Sequence, residues 1–525
     1  MQRERTASPP LVYDGPVTPS RGSATLLLLT LGWAASACRH EARAPARAEL
    51  DELRRAIAAC PVPLTDAALD DLATYRTCSL PPAVSRLVRN DYADDELEVP
   101  QLGALRRHDG RLTRTAFEAQ LRRFVDPRGV LAGFFVVDAE RGVLRPDPVL
   151  APEVEVAFAP EPAPGARRDP CAGAACDGRL VPPSRPDEPY RPHRRAQLAA
   201  GAIASLPLAG LRVAVDPGHA GGAFGFLEDR HISWRPDPAA REFVIQEGDL
   251  TLRTALELRA KLAARGAQVI LTRDAPGMVH GLPMHAFRPF AERLLRRIEL
   301  DPEYAQLERA LAPEGRLQLR SALAVLAVKK QNRFESLRSR ARVAAGADAD
   351  LVLSIHFNAG SFAPGERSTQ EVVAMVRGFH DAGRLYNPYH RWRALEGAFA
   401  VDDFDAAAHF GALCVREVSA RLGIPAAGEP RYADHLPIRD AAGRPIGVDA
   451  WDGALLRYLD VPAVLVEGPY LNERDEMPRL EAALAAAPGT PGTRTERYAD
   501  ALASCVEVFT QRWLASPRNP FGPLP

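Results

Sequence analysis

Short apolar runs alternate with helical patterns from about Leu206 onward. The apolar runs predict strands, and apolar positions at three- and four-residue spacing predict helices. The predicted strands cover residues 211–215, 268–272, 350–355 and 462–466, and the predicted helices cover 247–266, 336–347, 404–422 and 496–514. Because the strands are continuous apolar runs separated by helices, they predict an α/β fold for residues ~206–515, with a mostly parallel sheet and helices on both faces.

The chain before this region shows three different patterns. Residues 48–95 repeat apolar positions at helical spacing, and residues 111–159 combine a helical pattern with two strands around a turn at 139–142. Residues 160–199 are dense in Pro and Arg without any period, which predicts a linker. We therefore predict a small helical and α+β N-terminal region at 39–160, a Pro/Arg-rich linker at 161–205 and a main domain at 206–525.

An uncharged stretch from Gly22 to Cys38 has the character of an export signal. Its centre reads ATLLLLTLGWA, and small residues precede Cys38. The stretch is shorter than the ~20 apolar residues of a membrane span, so it predicts a signal peptide at 1–38. A cysteine after small residues resembles the lipobox of bacterial lipoproteins, which implies a lipid anchor at Cys38 and a location in the cell envelope, periplasmic or anchored to the outer membrane. A buried N-terminal helix is the alternative.

Composition argues against nucleic acid as a partner, and the cysteine count indicates the compartment. The chain is 46% hydrophobic and 25% charged with a net charge of -1, so it has no overall field that would attract nucleic acid. With Cys38 lipidated, six of the seven cysteines remain, which suits an oxidising compartment. The economical pairings are Cys60 with Cys78, Cys171 with Cys176, and Cys414 with Cys505. Free buried thiols are the alternative for the last pair.

Ionisable residues directly follow three of the predicted strands. The strand at 211–215 leads into Asp216-Pro217-Gly218-His219, the strand at 350–355 into His356, and the strand at 462–466 into Glu467. The carboxyl ends of parallel strands meet at one edge of the sheet, where ligands bind, so we expect these side chains to converge. Glu247, ahead of the first long helix, would lie at the same edge.

Two imidazoles and two carboxylates in one crevice describe a hydrolytic metal centre. Two histidines and one carboxylate hold zinc and leave a fourth position open, and the second carboxylate can act as general base and acid. Each residue alone has a more ordinary explanation: a histidine after a strand can be a hydrogen-bonded boundary residue, and Glu247 can be a helix-start carboxylate. Glu467 differs, because an ionisable group after an apolar run is costly unless it is paired or functional.

Four segments together resemble a known family. They are VAVDPGHAGG, QEGDLTLRTALELRAKLAARGAQVILTRD, SLRSRARVAAGADADLVLSIHFNAG and LRYLDVPAVLVEGPYLNERDE. Their order and context, from about residue 206 to 515, are similar to the zinc-dependent N-acetylmuramoyl-L-alanine amidases of the type 3 class. The resemblance implies that His219, Glu247 and His356 bind Zn²⁺ and that Glu467 is catalytic. It also implies a peptidoglycan or muropeptide substrate, cleaved between N-acetylmuramic acid and L-alanine.

The sequence departs from the family pattern mainly in its spacers. Successive site residues are 28, 109 and 111 positions apart, which indicates insertions near 223–245, 275–335 and 361–403. Because long segments near a site are commonly lids or binding loops, we expect one of the last two to border the crevice and limit access. Two alternative functions stay open: a zinc peptidase acting on cell-wall stem peptides, and a catalytically silent wall-binding module, which would not need Glu467. The sequence does not identify an activating protein partner.

Overall fold

The structure is a computed structural model. It describes residues 46–88, 109–110, 112–145, 153–161, 206–235, 242–361, 363–378, 385, 388–399, 403–430, 432, 434–459 and 461–515. The predicted signal peptide with Cys38, the pair Cys171 and Cys176, and nearly all of the predicted linker lie outside these residues. Within the described part of the chain, no helix combines the length and the apolar character needed to cross a bilayer.

Two small modules come before the main domain. The first, residues 46–88, contains α1 (Arg47–Ile57), α2 (Asp66–Asp70), α3 (Thr74–Thr77) and α4 (Pro82–Ser85). The second, residues 112–161, contains α5 (Arg114–Gln120) and an antiparallel sheet of β1 (Phe135–Val137), β2 (Arg141–Leu144) and β3 (Val154–Ala157). The helical pattern followed by an α+β pattern is therefore confirmed.

The main domain alternates strands and helices. Its strands are β4 (Arg212–Pro217), β5 (His231–Trp234), β6 (Phe243–Gln246), β7 (Gln268–Leu271), β8 (Leu351–Asn358), β9 (Val373–Arg377), β10 (His435–Arg439), β11 (Pro445–Trp451) and β12 (Ala463–Tyr470). Its helices are α6 (Glu247–Ala264), α7 (Arg288–Ile298), α8 (Pro302–Ala310), α9 (Pro313–Gly346), α10 (Pro388–Phe399), α11 (Asp403–Leu422), α12 (Ala454–Arg457), α13 (Met477–Ala485) and α14 (Arg494–Ala515).

A seven-stranded sheet organises the main domain, in the order β10-β11-β9-β12-β8-β4-β7. The four strands predicted from the sequence form the parallel half, β12-β8-β4-β7. Beyond it, β9 runs antiparallel to β12, β11 runs parallel to β9, and β10 runs antiparallel to β11. The predicted α/β fold with a mostly parallel sheet is confirmed, and the strands of the other half are additions that the sequence did not predict.

Helices cover both faces of the sheet, as predicted. On one face α6, α11 and α14 pack together, and the disulfide between Cys414 and Cys505 joins α11 to α14. On the other face the C-terminal part of α9 and the short α12 pack through small and apolar residues such as Ala341, Ala344 and Leu455. Both faces of the parallel strands are therefore buried, which explains their continuous apolar runs.

Each N-terminal module packs against one insertion of the main domain. The first module, closed by the disulfide between Cys60 and Cys78, shares a hydrophobic core with α7, α8 and α9, in which Leu53 and Ile57 join Leu294 and Leu323. In the second module the Phe117 ring lies 4.4 Å from that of Phe399 in α10. Two of the three predicted disulfide pairings are confirmed, and disulfides are typical of proteins outside the cytosol.

Candidate metal centre and active site

All four residues singled out in the sequence lie at the carboxyl edge of the parallel strands. His219 lies in the turn after β4, and Glu247 is the first residue of α6. His356 lies in β8 directly beside Glu467 of β12, because the parallel register pairs these two residues. The structure thus brings together side chains that are up to 248 positions apart in the sequence (467 minus 219).

Glu247 lies between the two histidines. Its Oε2 is 3.3 Å from Nε2 of His219, and its Oε1 is 3.0 Å from Nδ1 of His356. One ligand atom from each of the three residues lies within 4.8 Å of the other two. Four ligands at about 2.0–2.1 Å from a tetrahedral zinc ion lie about 3.3 Å apart, and two histidines with one carboxylate are a known zinc-binding set. The buried His219, Glu247 and His356 group therefore fits a metal ion such as zinc.

Glu467 has an environment different from that of Glu247, although both are carboxylates. Burial would raise the pKa of Glu247, but the adjacent His219 and His356 outweigh this effect and hold the pKa at about 2. For Glu467 burial dominates and, with the nearby charge of Glu247, raises the pKa to about 7 against the opposing effect of His356. Its Oε1 lies 4.0 Å from Nδ1 of His356, and its side chain is 17% exposed. One carboxylate is therefore held as an anion, and the other is suited to exchange a proton.

The turn that carries His219 has an unusual backbone. His219 has a φ of 57°, a left-handed conformation that a residue with a side chain seldom adopts. Two buried arginines stabilise the turn: Arg273 donates to the carbonyls of Pro217 and Gly218, and Arg340 donates to those of Pro217 and His219. A Cβ on Gly218 would lie 2.5 Å from the ring of His356. The Asp-Pro-Gly-His segment thus forms a close support for the site.

Glu228 is a site residue that the sequence analysis missed. Its Oε2 lies 3.1 Å from Nδ1 of His219 and accepts a hydrogen bond from the Ala220 N–H at 2.7 Å. A carboxylate on one ring nitrogen fixes the tautomer and orientation of a histidine, so that the other nitrogen, here the one beside Glu247, can bind a metal. Glu228 lies in a short loop within the first predicted insertion, and no periodicity or motif marks it.

Glu228→Gln tests this orienting role. We expect zinc affinity to fall about 10- to 100-fold with the fold retained, which is the usual effect of losing such a partner. The measurement is competition with a calibrated zinc chelator, together with a thermal melt. Asp229→Asn is a matched control, because Asp229 is exposed and contacts Lys329 instead. Equal zinc affinity in the wild type and Glu228→Gln would contradict the orienting role.

Among known proteins, several solved structures are similar to this chain. No family model matches the sequence, and no curated protein matches it. N-acetylmuramoyl-L-alanine amidase AmiC2 of Nostoc punctiforme is 16% identical, over 58% of this chain and 99% of that chain, with a TM-score of 0.30. The amidase from Clostridium difficile 630 is 14% identical, over 57% and 97%, with a TM-score of 0.30.

A third solved structure, the amidase Ami1 from Mycobacterium smegmatis, is 16% identical to this chain. The alignment covers 58% of this chain and 98% of that chain, with a TM-score of 0.30. All three are N-acetylmuramoyl-L-alanine amidases by name.

Proposed function

We propose that this protein is a zinc-dependent N-acetylmuramoyl-L-alanine amidase, which hydrolyses the amide between N-acetylmuramic acid and L-alanine in peptidoglycan. The observation that supports this most directly is the grouping of His219, Glu247 and His356 within 4.8 Å, with Glu467 on the adjacent strand. Zinc held by the three residues would polarise the amide carbonyl and activate a water molecule. The resemblance to the amidase motifs supports the same division, with His219, Glu247 and His356 as ligands and Glu467 as catalyst.

In this mechanism the residues of the site have three roles: metal binding, orientation of a ligand and proton transfer. His219, Glu247 and His356 hold the metal, and Glu228 fixes the orientation of His219. Glu467 takes a proton from the attacking water and returns one to the leaving amine of L-alanine, so a single carboxylate acts first as base and then as acid. Burial raises the pKa of Glu467 above that of an ordinary carboxyl, which favours its holding the proton between the two transfers.

The two alternative functions differ from the proposal in what they require of the site. A catalytically silent wall-binding module has no use for a buried carboxylate beside a metal group, since burying one is costly without a task. A zinc peptidase would use the same group but cut a peptide bond within the stem. The resemblance of the motifs to the amidases favours the muramoyl amide.

The test is hydrolysis of a soluble muropeptide by the purified protein. We expect release of a free α-amine on L-alanine, loss of this activity after treatment with a chelator, and recovery on adding zinc in a stoichiometric amount. A metal-free protein that keeps full activity would contradict the zinc dependence. A zinc-loaded protein that leaves the muramoyl amide intact would contradict the proposed reaction.

We further propose that the mature chain begins at Cys38 and is anchored in the cell envelope by lipid. The apolar segment before Cys38 supports this, and the two disulfides agree with an oxidising compartment. Cys38→Ala should move the protein from the membrane fraction to the soluble fraction, as followed by immunoblotting. If the variant fractionates like the wild type, the lipid anchor is wrong, whereas export is tested separately by the mature N-terminus.

A further inference from the structure

Two arginines border the metal centre, and both lie in segments where the spacers are longer than in the family pattern. Arg230 directly precedes β5. Its carbonyl accepts a hydrogen bond from the Glu247 N–H at 3.1 Å, and its own N–H donates to the carbonyl of Gly225 at 3.1 Å. The backbone of Arg230 is therefore fixed beside Glu247, while its side chain is exposed to solvent.

Arg333 approaches the same loop from α9. Four residues earlier on this helix, Lys329 Nζ lies 2.6 Å from Oδ2 of Asp229. Seven residues later, Arg340 donates to the carbonyl of His219 at 2.7 Å. Positions four before and seven after a residue share its face of a helix, and these two contacts span about 16 Å of α9. Arg333 therefore faces the loop between residues 219 and 229.

The two guanidinium groups have no partner of their own. Within the part of the chain that the structure describes, neither side chain forms a hydrogen bond or an ion pair. Arg333 interacts electrostatically with Glu228, Glu247 and Asp229 as well as with Arg230, and Arg230 acts in turn on Glu247 and Glu467. Glu228 and Glu247 nevertheless direct their oxygens to the histidines, not to the two guanidinium groups. Because neither guanidinium donates a hydrogen bond to a described residue, the donors of both are available to an anion that enters the site.

We propose that Arg230 and Arg333 form a carboxylate-binding subsite at the mouth of the metal centre, which binds an acidic group of the substrate's peptide stem. A guanidinium presents its N–H donors in a planar fork that matches the two oxygens of a carboxylate. Hydrogen bonds between these charged groups are stronger than those between neutral groups. In a muramoyl peptide the sugar's own carboxyl group is tied up in the amide, whereas the stem carries free carboxylates. The subsite rests on the proposed amidase function and names the part of the substrate that it recognises.

The test compares two soluble substrates that differ only in charge. One is N-acetylmuramoyl-L-alanyl-D-glutamate, and the other is the same compound with both free carboxylates converted to carboxamides. With the full-length, zinc-loaded protein we expect the acidic compound to have the lower KM. Arg230→Gln and Arg333→Gln should each raise KM for the acidic compound about 10- to 100-fold relative to KM for the amidated compound, the range of a charge-assisted hydrogen bond, and any change in kcat should be the same for both compounds.

Matched controls come from the same two elements. Arg235→Gln in the β5–β6 hairpin and Arg342→Gln in α9 remove exposed arginines that pair with Glu242 and Glu335 respectively. Both controls should keep the wild-type preference for the acidic compound. An equal rise in KM for both compounds would show a general structural role and overturn the subsite, as would unchanged kinetics in both variants.

Direct binding separates this proposal from the amidase function. If the wild type hydrolyses neither compound, isothermal titration of each compound into the wild type still measures the subsite. Tighter binding of the acidic compound, lost in Arg230→Gln and Arg333→Gln, would support the subsite although the amidase assignment had failed. Equal affinity for the two compounds would overturn the subsite whether or not hydrolysis occurs.

Discussion

Replacing Glu467 by glutamine should slow turnover of a muropeptide by about 100-fold or more while the bound zinc is retained. Oε1 of Glu467 lies 4.0 Å from Nδ1 of His356. Glu467 does not belong to the group of His219, Glu247 and His356, whose ligand atoms lie close enough to share a metal ion. Its volume is nearly unchanged in the variant, so the fold and the metal group should persist. Only the ability to take and return a proton is lost, and this ability is what the mechanism assigns to Glu467.

The measurement is kcat on a defined muropeptide, with zinc content determined by elemental analysis of the same preparation. Glu481→Gln is a matched control, because Glu481 is exposed on α13 and forms no hydrogen bond or ion pair with a described residue. Loss of zinc from Glu467→Gln would assign this residue to the ligands instead. Wild-type turnover in that variant would remove Glu467 from the chemistry altogether.

Removal of a ligand should have a different signature, in which zinc and activity are lost together. His219→Ala or His356→Ala leaves two protein ligands, which hold zinc poorly. We expect less than stoichiometric zinc after dialysis and no detectable hydrolysis in either variant. His285→Ala is the control, because His285 contacts Asp70 of the first module and should keep both zinc and activity. Stoichiometric zinc in His219→Ala would contradict the assignment.

Glu247 gives the sharpest version of this test, because it has an ordinary alternative role at the start of α6. As a helix-start carboxylate alone it would contribute at most ~1 kcal/mol of stability, and its removal would leave the site intact. As a ligand between His219 and His356, its replacement by alanine should abolish zinc binding. Normal zinc content and full activity in Glu247→Ala would show that the family resemblance had been extended too far.

The parallel half of the sheet could be predicted because burial on both faces produces continuous apolar runs. The mixed half, formed by β9, β11 and β10, could not. Its strands β10 and β11 contain Pro437, Pro445 and Gly447, residues that are depleted in strands, and β9 lies within the predicted insertion at 361–403. The helix predicted at 336–347 is the end of the 34-residue α9, whose first part packs on the N-terminal module. Packing between segments that are distant in the sequence produces no periodic pattern of apolar residues from which the first part of this helix could be predicted.

The site shows the same division. His219, His356 and Glu467 were predictable because each follows the apolar run of a strand, and the carboxyl ends of such strands converge at one edge in this kind of sheet. Glu228 orients His219 from an irregular loop, and Arg333 reaches that loop from an inserted helix. Both depend on tertiary contacts between segments that have no common pattern in the sequence. Glu228 and Arg333 could therefore be identified only from the structure, whereas the residues that could hold a metal ion were identified from the sequence.

The bond that the protein cuts is identified most directly by mass spectrometry of digested peptidoglycan. Purified sacculi are incubated with the zinc-loaded protein and with Glu467→Gln, and the released fragments are sequenced. The proposed function predicts stem peptides that begin with a free L-alanine and glycan strands whose muramic acids carry free lactyl carboxyls, both absent from the variant digest. Fragments cut within the stem peptide, with L-alanine still attached to the sugar, would contradict it.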